Sequence, residues 1–338
     1  MVRSVCLILG GVLAVAGASL LAGVPTTRTA SRPTTRTATR PVGGLPPAEV
    51  ARVRRLIGRL GDVDPDVRQA ALDALCDLRR KAVSYLIAGL NEQAPAVRAG
   101  CARALGRAGA AEALHPLTVH LLSDEAAVVR IESAHALSAL GRVAALPALA
   151  KALRDDTAGV RAEAALSIGQ AVRIARARRP LSAEDRALLG VALGPLIDAL
   201  RDRHSAVRGN AAISLGVLHD PRALAPLLLA TLDGDPMVRA SACHGLGDLG
   251  DRAAGGALIE LLDDADVTVR RSAIEALRMI TGNTLGYRPR APRAERRKTI
   301  ARWRTWWERT KRQLQEQAAG KTRTAGNGEP ETGSDPLR

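Results

Sequence analysis

The stretches "DPDVRQAALDAL" at 64–75 and "DPMVRASACHGL" at 235–246 follow one pattern, and that pattern constrains this chain more than anything else in it. Aligned on the Val-Arg pair, it recurs at Arg68, Arg98, Arg130, Arg161, Arg208, Arg239 and Arg270. The separations are 30, 32, 31, 47, 31 and 31 residues. A fixed period in this range is the signature of a stacked repeat, and the one long interval marks an insertion in the fourth unit.

Within each unit a small residue stands three positions after the arginine: Ala71, Cys101, Ser133, Ala164, Ala211, Ala242 or Ala273. Seven positions after it stands Leu75, Leu105, Leu137, Ile168, Leu215, Leu246 or Leu277. Spacings of three, four and seven fall on one face of an α-helix. The small residue admits a neighbouring helix closely, and the large one fills the space between layers. An upstream apolar run, such as "ALAPLLLATL" at 223–232, supplies a first helix to each unit. Asp and Pro at the turn suit the N-terminus of the second helix, and Gly suits its end. The unit is therefore a helical hairpin, helix A then helix B. Composition agrees: the chain has no Phe, two Tyr and three Trp, yet 46% of residues are hydrophobic, so its core is Ala, Leu and Val. Such a core suits many thin helical layers better than a β-sandwich.

The pattern "LLxDxDxxVRxxAxxALxxLG" resembles HEAT repeats, in particular the short bacterial type named after phycobilisome lyases, and the resemblance covers about residues 50–282. It implies an all-α fold, an α-α superhelix of about seven hairpins, and hydrogen-bonded ladders between the turn aspartate and the helix B arginine. Carried onto this chain, the ladder falls on Arg68, Arg161, Arg208, Arg239 and Arg270, with Asp66, Asp235 and Asp266 as acceptors. The second unit departs: "QAPAVR" has no aspartate before Arg98, which leaves its rung in doubt. The scaffold hosts many activities, so fold alone assigns none.

The organisation expected is a signal peptide or membrane anchor at 1–24, a Thr/Arg/Pro linker at 25–47, the repeat solenoid at 48–286 with an insertion at about 173–186, a basic Trp-containing capping helix within 287–318, and a disordered tail at 319–338. Val5 to Val24 carries no charge, and twenty helical residues reach about 30 Å, one hydrocarbon thickness. "AGA" at 16–18 suits a signal peptidase, which points to export and an extracytoplasmic body. Arg28, Arg32, Arg36 and Arg40 after the apolar run leave the reversed orientation open.

The net charge of +15 sits at the ends. Residues 287–323 hold thirteen Lys/Arg against three Glu, whereas 48–286 hold thirty basic and twenty-eight acidic residues. Attraction to nucleic acid or anionic lipid would come from the termini.

Little catalytic chemistry is written here. Iron-binding HEAT-like hydroxylases carry His-Glu pairs, and no His in this chain is followed by Glu. Cys6, Cys76, Cys101 and Cys243 have no CxxC spacing, so neither a metal site nor a redox dithiol follows. No catalytic residue, metal ligand or cofactor is expected. The residues two and five positions after each arginine lie on the inner face of helix B: Arg103, Glu132, His135, Glu163, Asn210, Ser241, His244, Ser272 and Glu275. These are the candidates for binding another protein or peptide. Glu132 and His135, one turn apart, have the spacing of a metal pair but no further ligands in sequence. The insertion "RIARARRPLSAEDR" reads as a solvated elongation or as a basic docking loop. Ile300, Trp303 and Trp307 share one face of the last helix, where they fit a cap over an exposed terminal layer.

The function expected is a monomeric, non-enzymatic scaffold. The alternatives are nucleic-acid or anionic-surface binding through the Arg/Trp segment, which predicts strong salt dependence, and an accessory enzyme related to bilin lyases, which predicts a bound chromophore.

Overall fold

Residues 45–78 and 80–326 are described by the structure, a computed structural model; the expected signal or anchor segment, nearly all of the linker and the last part of the tail lie outside them. The described residues contain helices and turns and no strand. Seven hairpins follow one another: α1 (Pro47–Arg59) with α2 (Pro65–Asp77), α3 (Arg80–Gly89) with α4 (Pro95–Ala108), α5 (Leu114–Ser123) with α6 (Ala127–Leu140), α7 (Leu146–Ala152) with α8 (Ala158–Arg178), α9 (Ala183–Ala199) with α10 (Ser205–Leu218), α11 (Leu224–Ala230) with α12 (Pro236–Leu249), and α13 (Gly255–Glu260) with α14 (Val267–Thr281). Odd-numbered helices are the A row and even-numbered ones the B row. A last helix, α15 (Arg293–Gly326), follows. It passes the expected limit at 318, so residues 319–326, read as disordered from sequence, are helical.

Local chemistry sets the boundaries. Asp64 and Asp235 accept the backbone N–H two residues on and are followed by Pro65 and Pro236, so α2 and α12 start with a donor satisfied and a residue that needs none. Gly109, Gly141, Gly250 and Gly282 end B helices in the left-handed region, and His219 (φ 52°) takes that role after α10. Ser182 opens α9 with a capping box closed by Asp185.

The leucines and isoleucine seven positions after each arginine are at most 1% exposed, as are the small residues three positions after it. They form one core that runs without a break from Val53 to Trp303. B helices meet backbone to backbone. A Cβ on Gly216 would lie 2.3 Å from the Gly245 carbonyl oxygen, and one on Gly106 would lie 2.7 Å from the Ala136 Cα. Neighbouring A helices meet over less of their length than the B helices from α4 to α14 do.

The insertion lengthens α8 to 21 residues, and three of its five arginines reach neighbouring hairpins. Arg176 donates to the carbonyls of Val217 and Leu218 at the end of α10, Arg178 to that of Leu140 at the end of α6, and Arg173 pairs with Asp248 at 2.6 Å. Cations placed on helix C-termini satisfy orphan carbonyls. The segment elongates α8, and three of its arginines brace neighbouring hairpins instead of forming a free basic docking loop.

Candidate functional site

From Arg98 to Arg239, each ladder arginine enters from the first turn of a B helix, where the Val beside it is buried. Its Nη1 donates to two carbonyls of its own A–B turn, as Arg130 does to Asp124 (2.9 Å) and Glu125 (3.2 Å). Its Nε and Nη2 then clasp one carboxylate of the next turn. The rungs are Arg98–Asp124 (2.9 and 2.7 Å), Arg130–Asp155 (2.7 and 2.9 Å), Arg161–Asp202 (2.6 and 3.1 Å), Arg208–Asp233 (2.7 and 2.9 Å) and Arg239–Asp264 (2.9 and 2.9 Å). Each of these aspartates also accepts the backbone N–H two residues on, at 2.8–3.0 Å, which fixes its carboxylate toward the arginine.

Three readings of the sequence are corrected by this geometry. Asp235 and Asp266 are helix caps, accepting from the N–H groups of Met237 and of Thr268 and Val269, and Asp66 lies within the first turn of α2; the acceptors are the aspartates six positions before each arginine. Arg98 does carry a rung, because its acceptor belongs to the following unit; Arg130 carries one also. The unit that lacks one is the first. Among the described residues Arg68 donates only to the carbonyls of Asp62 and Val63, and Glu92 stands where the acceptor aspartate would be. Arg270, at the far end, donates through Nε to the Pro289 carbonyl at 2.9 Å.

The rungs are electrostatically strong. Burial alone would push the Asp124 carboxyl up, but bonds from Arg98, the Ala126 N–H and His120 hold it at about 2. Arg161 and the His204 N–H hold Asp202 at about 2. Asp155 and Asp233 are lowered as well, against burial, by Arg130 and Arg208. Burial pushes the thiols of Cys101 and Cys243 up to about 12, so they remain protonated packing groups.

The B row brings most of the candidate residues together in pairs across layers. Arg103 binds Glu132 through both Nε and Nη2, and His135 Nδ1 lies 3.3 Å from Glu163. Asn210 donates to the Ala162 carbonyl at 2.8 Å, and His244 Nε2 meets Ser272 Oγ at 3.2 Å. Glu275 turns to Arg278 on its own helix. The hydrogen bond that His135 donates to the Glu163 carboxylate raises the His135 pKa above its ordinary value. Glu132 and His135 each face a different partner, and among the described residues no three His, Cys, Asp or Glu converge on a metal-sized point. Apolar clefts accompany this face. One of about 300 Å³ is lined by Leu60, Arg68, Leu72 and Val128, and another of about 360 Å³ by Gln69, Arg103, Ile131 and His135.

At the C-terminal end α15 lies on α13 in the place of an eighth A helix. Trp303 is fully buried, Trp306 meets it edge-on at 5.3 Å, and Trp307 lies over Gly255 and Gly256, where a Cβ would come within 2.8 and 3.1 Å of its ring. Tyr287 donates its hydroxyl to the Leu262 carbonyl. Lys298, Arg302 and Arg309 occupy the opposite, exposed face with no partner among the described residues.

A family model for HEAT repeats matches residues 53–137, 86–169 and 192–282, more than half of the chain. The chain belongs to the HEAT-repeat family. No curated protein matches this HEAT-repeat chain as a relative. Solved structures that resemble it include human deoxyhypusine hydroxylase in complex with glycerol (21% identity, 70% of this chain and 99% of that one, TM-score 0.34). Another is the CpcE–CpcF complex of phycocyanin lyase from a Nostoc species (20% identity, 80% and 100%, TM-score 0.39). A third is a Kap121p mutant (15% identity, 68% and 28%, TM-score 0.55). The last likeness supports the stacked-hairpin fold of this HEAT-repeat chain and speaks to the fold alone. Among the described residues no helix is long and apolar enough to cross a membrane.

Proposed function

We propose that this HEAT-repeat chain is a non-enzymatic scaffold that binds another protein or peptide along its B row. One observation carries the reading: Arg103, Glu132, His135, Glu163, Asn210 and His244 line up on consecutive B helices beside apolar clefts, while the ladder that holds those helices in register lies at the turns and leaves the face itself open. Contacts repeated at every layer add without any one of them being strong, which is how extended concave surfaces bind. The N-terminal apolar run supports an exported or anchored body, testable by a reporter fused after residue 47.

Affinity capture with the full chain, compared with a variant carrying Arg103→Ala, Asn210→Ala and His244→Ala, tests the assignment. The expected result is a partner retained by the parent and lost from the variant, unaffected by nuclease.

A second reading rests on Lys298, Arg302 and Arg309, whose spacing of four and seven makes an unpaired cationic stripe on α15. It would bind a nucleic acid or an anionic surface by charge alone, since the tryptophans are committed to the cap. Capture abolished by nuclease, or by about 0.3 M salt, would favour it.

A further inference from the structure

We infer that the cleft between α2 and α4 is a docking site for an acidic peptide segment of a partner protein, whose carboxylate takes the ladder place left empty at Arg68. The inference rests on the scaffold reading and names the partner's chemistry. Five arginines of identical setting, Arg98 to Arg239, each hold an aspartate through Nε and Nη2. Arg68 is oriented in the same way, its Nη1 fixed by the carbonyls of Asp62 and Val63, and the same two donors have no partner among the described residues.

The cause is one methylene. Aspartate at this position accepts the N–H two residues on and so presents its other oxygen to the arginine. Glu92 makes no such bond, and it lines the separate cleft between α1 and α3. With the rung missing, α2 meets α4 over a far shorter stretch than any other pair of neighbouring B helices. The gap is the cleft of about 300 Å³ whose apolar walls are Leu60, Leu72, Ala96 and Val128, with Arg68 at one edge and Arg103 at the other. A cationic fork beside apolar walls fits a carboxylate flanked by an aliphatic side chain. An amide could not replace that carboxylate, having no charge and only one acceptor oxygen.

The molecule supplies its own probe. A labelled, end-capped peptide with the sequence of residues 230–238 carries Asp233, the natural partner of Arg208. Its binding to the full chain is read by fluorescence anisotropy up to millimolar protein. The expected result is saturable binding that weakens at least about tenfold when Asn replaces the peptide's Asp233, and equally for Arg68→Gln protein. Glu92→Asp should restore the internal rung: it occupies Arg68, removes peptide binding and raises the melting temperature. That variant keeps the test valid if Arg68→Gln unfolds. Absent binding, no preference for Asp over Asn, or undiminished binding by Glu92→Asp overturns the inference. So does self-association that the peptide competes away, which assigns the cleft to a second copy. A captured partner indifferent to both protein substitutions defeats this inference alone and leaves the scaffold reading in place.

Discussion

Arg98 of the second hairpin and Asp124 of the third are joined through two parallel hydrogen bonds, 2.9 and 2.7 Å long, with side chains only 9% and 3% exposed. Neither residue serves its own hairpin alone. The bond therefore couples layers, and the stability of each layer depends on the next.

Replacing Asp124 by Asn leaves the Arg98 charge buried without its counter-ion, at a cost of about 3 kcal/mol. All three tryptophans lie in α15, so their fluorescence reports only the C-terminal end. In urea, far-UV circular dichroism of the variant should lose part of its helix signal before tryptophan fluorescence changes, whereas the parent transitions coincide.

Acid should unlock the ladder. Asp124 and Asp202 titrate at about 2 when folded, against about 3.9 when unfolded. A depressed folded pKa gives stability that is present above the unfolded value and lost as pH falls through the folded one. Each of these two rungs then contributes roughly 2 kcal/mol at neutral pH. Melting temperature should be level from pH 7 to 5 and fall steeply between pH 4 and 2. The Asp202→Asn variant should show a shallower fall.

Two glycines separate packing from propensity. Gly216→Ala would place a Cβ 2.3–2.7 Å from the Gly245 backbone, and helix α12 must move. A loss of about 2 kcal/mol or more is expected in denaturant. Gly190 in α9 has nothing within 4 Å of a Cβ, so Gly190→Ala should gain about 0.5–1 kcal/mol.

The period of about 31 residues displays the hairpins and core directly, because burial forces leucine and small residues onto fixed positions. The ladder acceptors are harder to read. In "DGDP" both aspartates precede the arginine, and Asp235 and Asp233 differ in role only because one caps its own helix and the other faces the preceding layer. Such a partner across layers has no local signal, yet counting six positions back from each arginine finds it. The bracing role of Arg176 and Arg178 depends on where α6 and α10 end, which no spacing within the insertion reveals.

Trp303 is the largest fully buried side chain in the described chain. Trp303→Ala should cost about 3–5 kcal/mol at the cap, releasing α15 and accelerating hydrogen exchange in α13 and α14 before α2 or α4. Uniform exchange along the chain would show that α15 does not act as a cap.

Photo-crosslinking from single positions tests the central claim most directly. A photoreactive residue placed in turn at Asn210 and His244 on the B row, and at the exposed Leu229 and His115 on the A row, is activated in cells expressing the full chain. The account predicts a discrete protein adduct from the B-row positions and none from the A row. Adducts confined to the A row, or only nucleic acid crosslinked from any position, would contradict it.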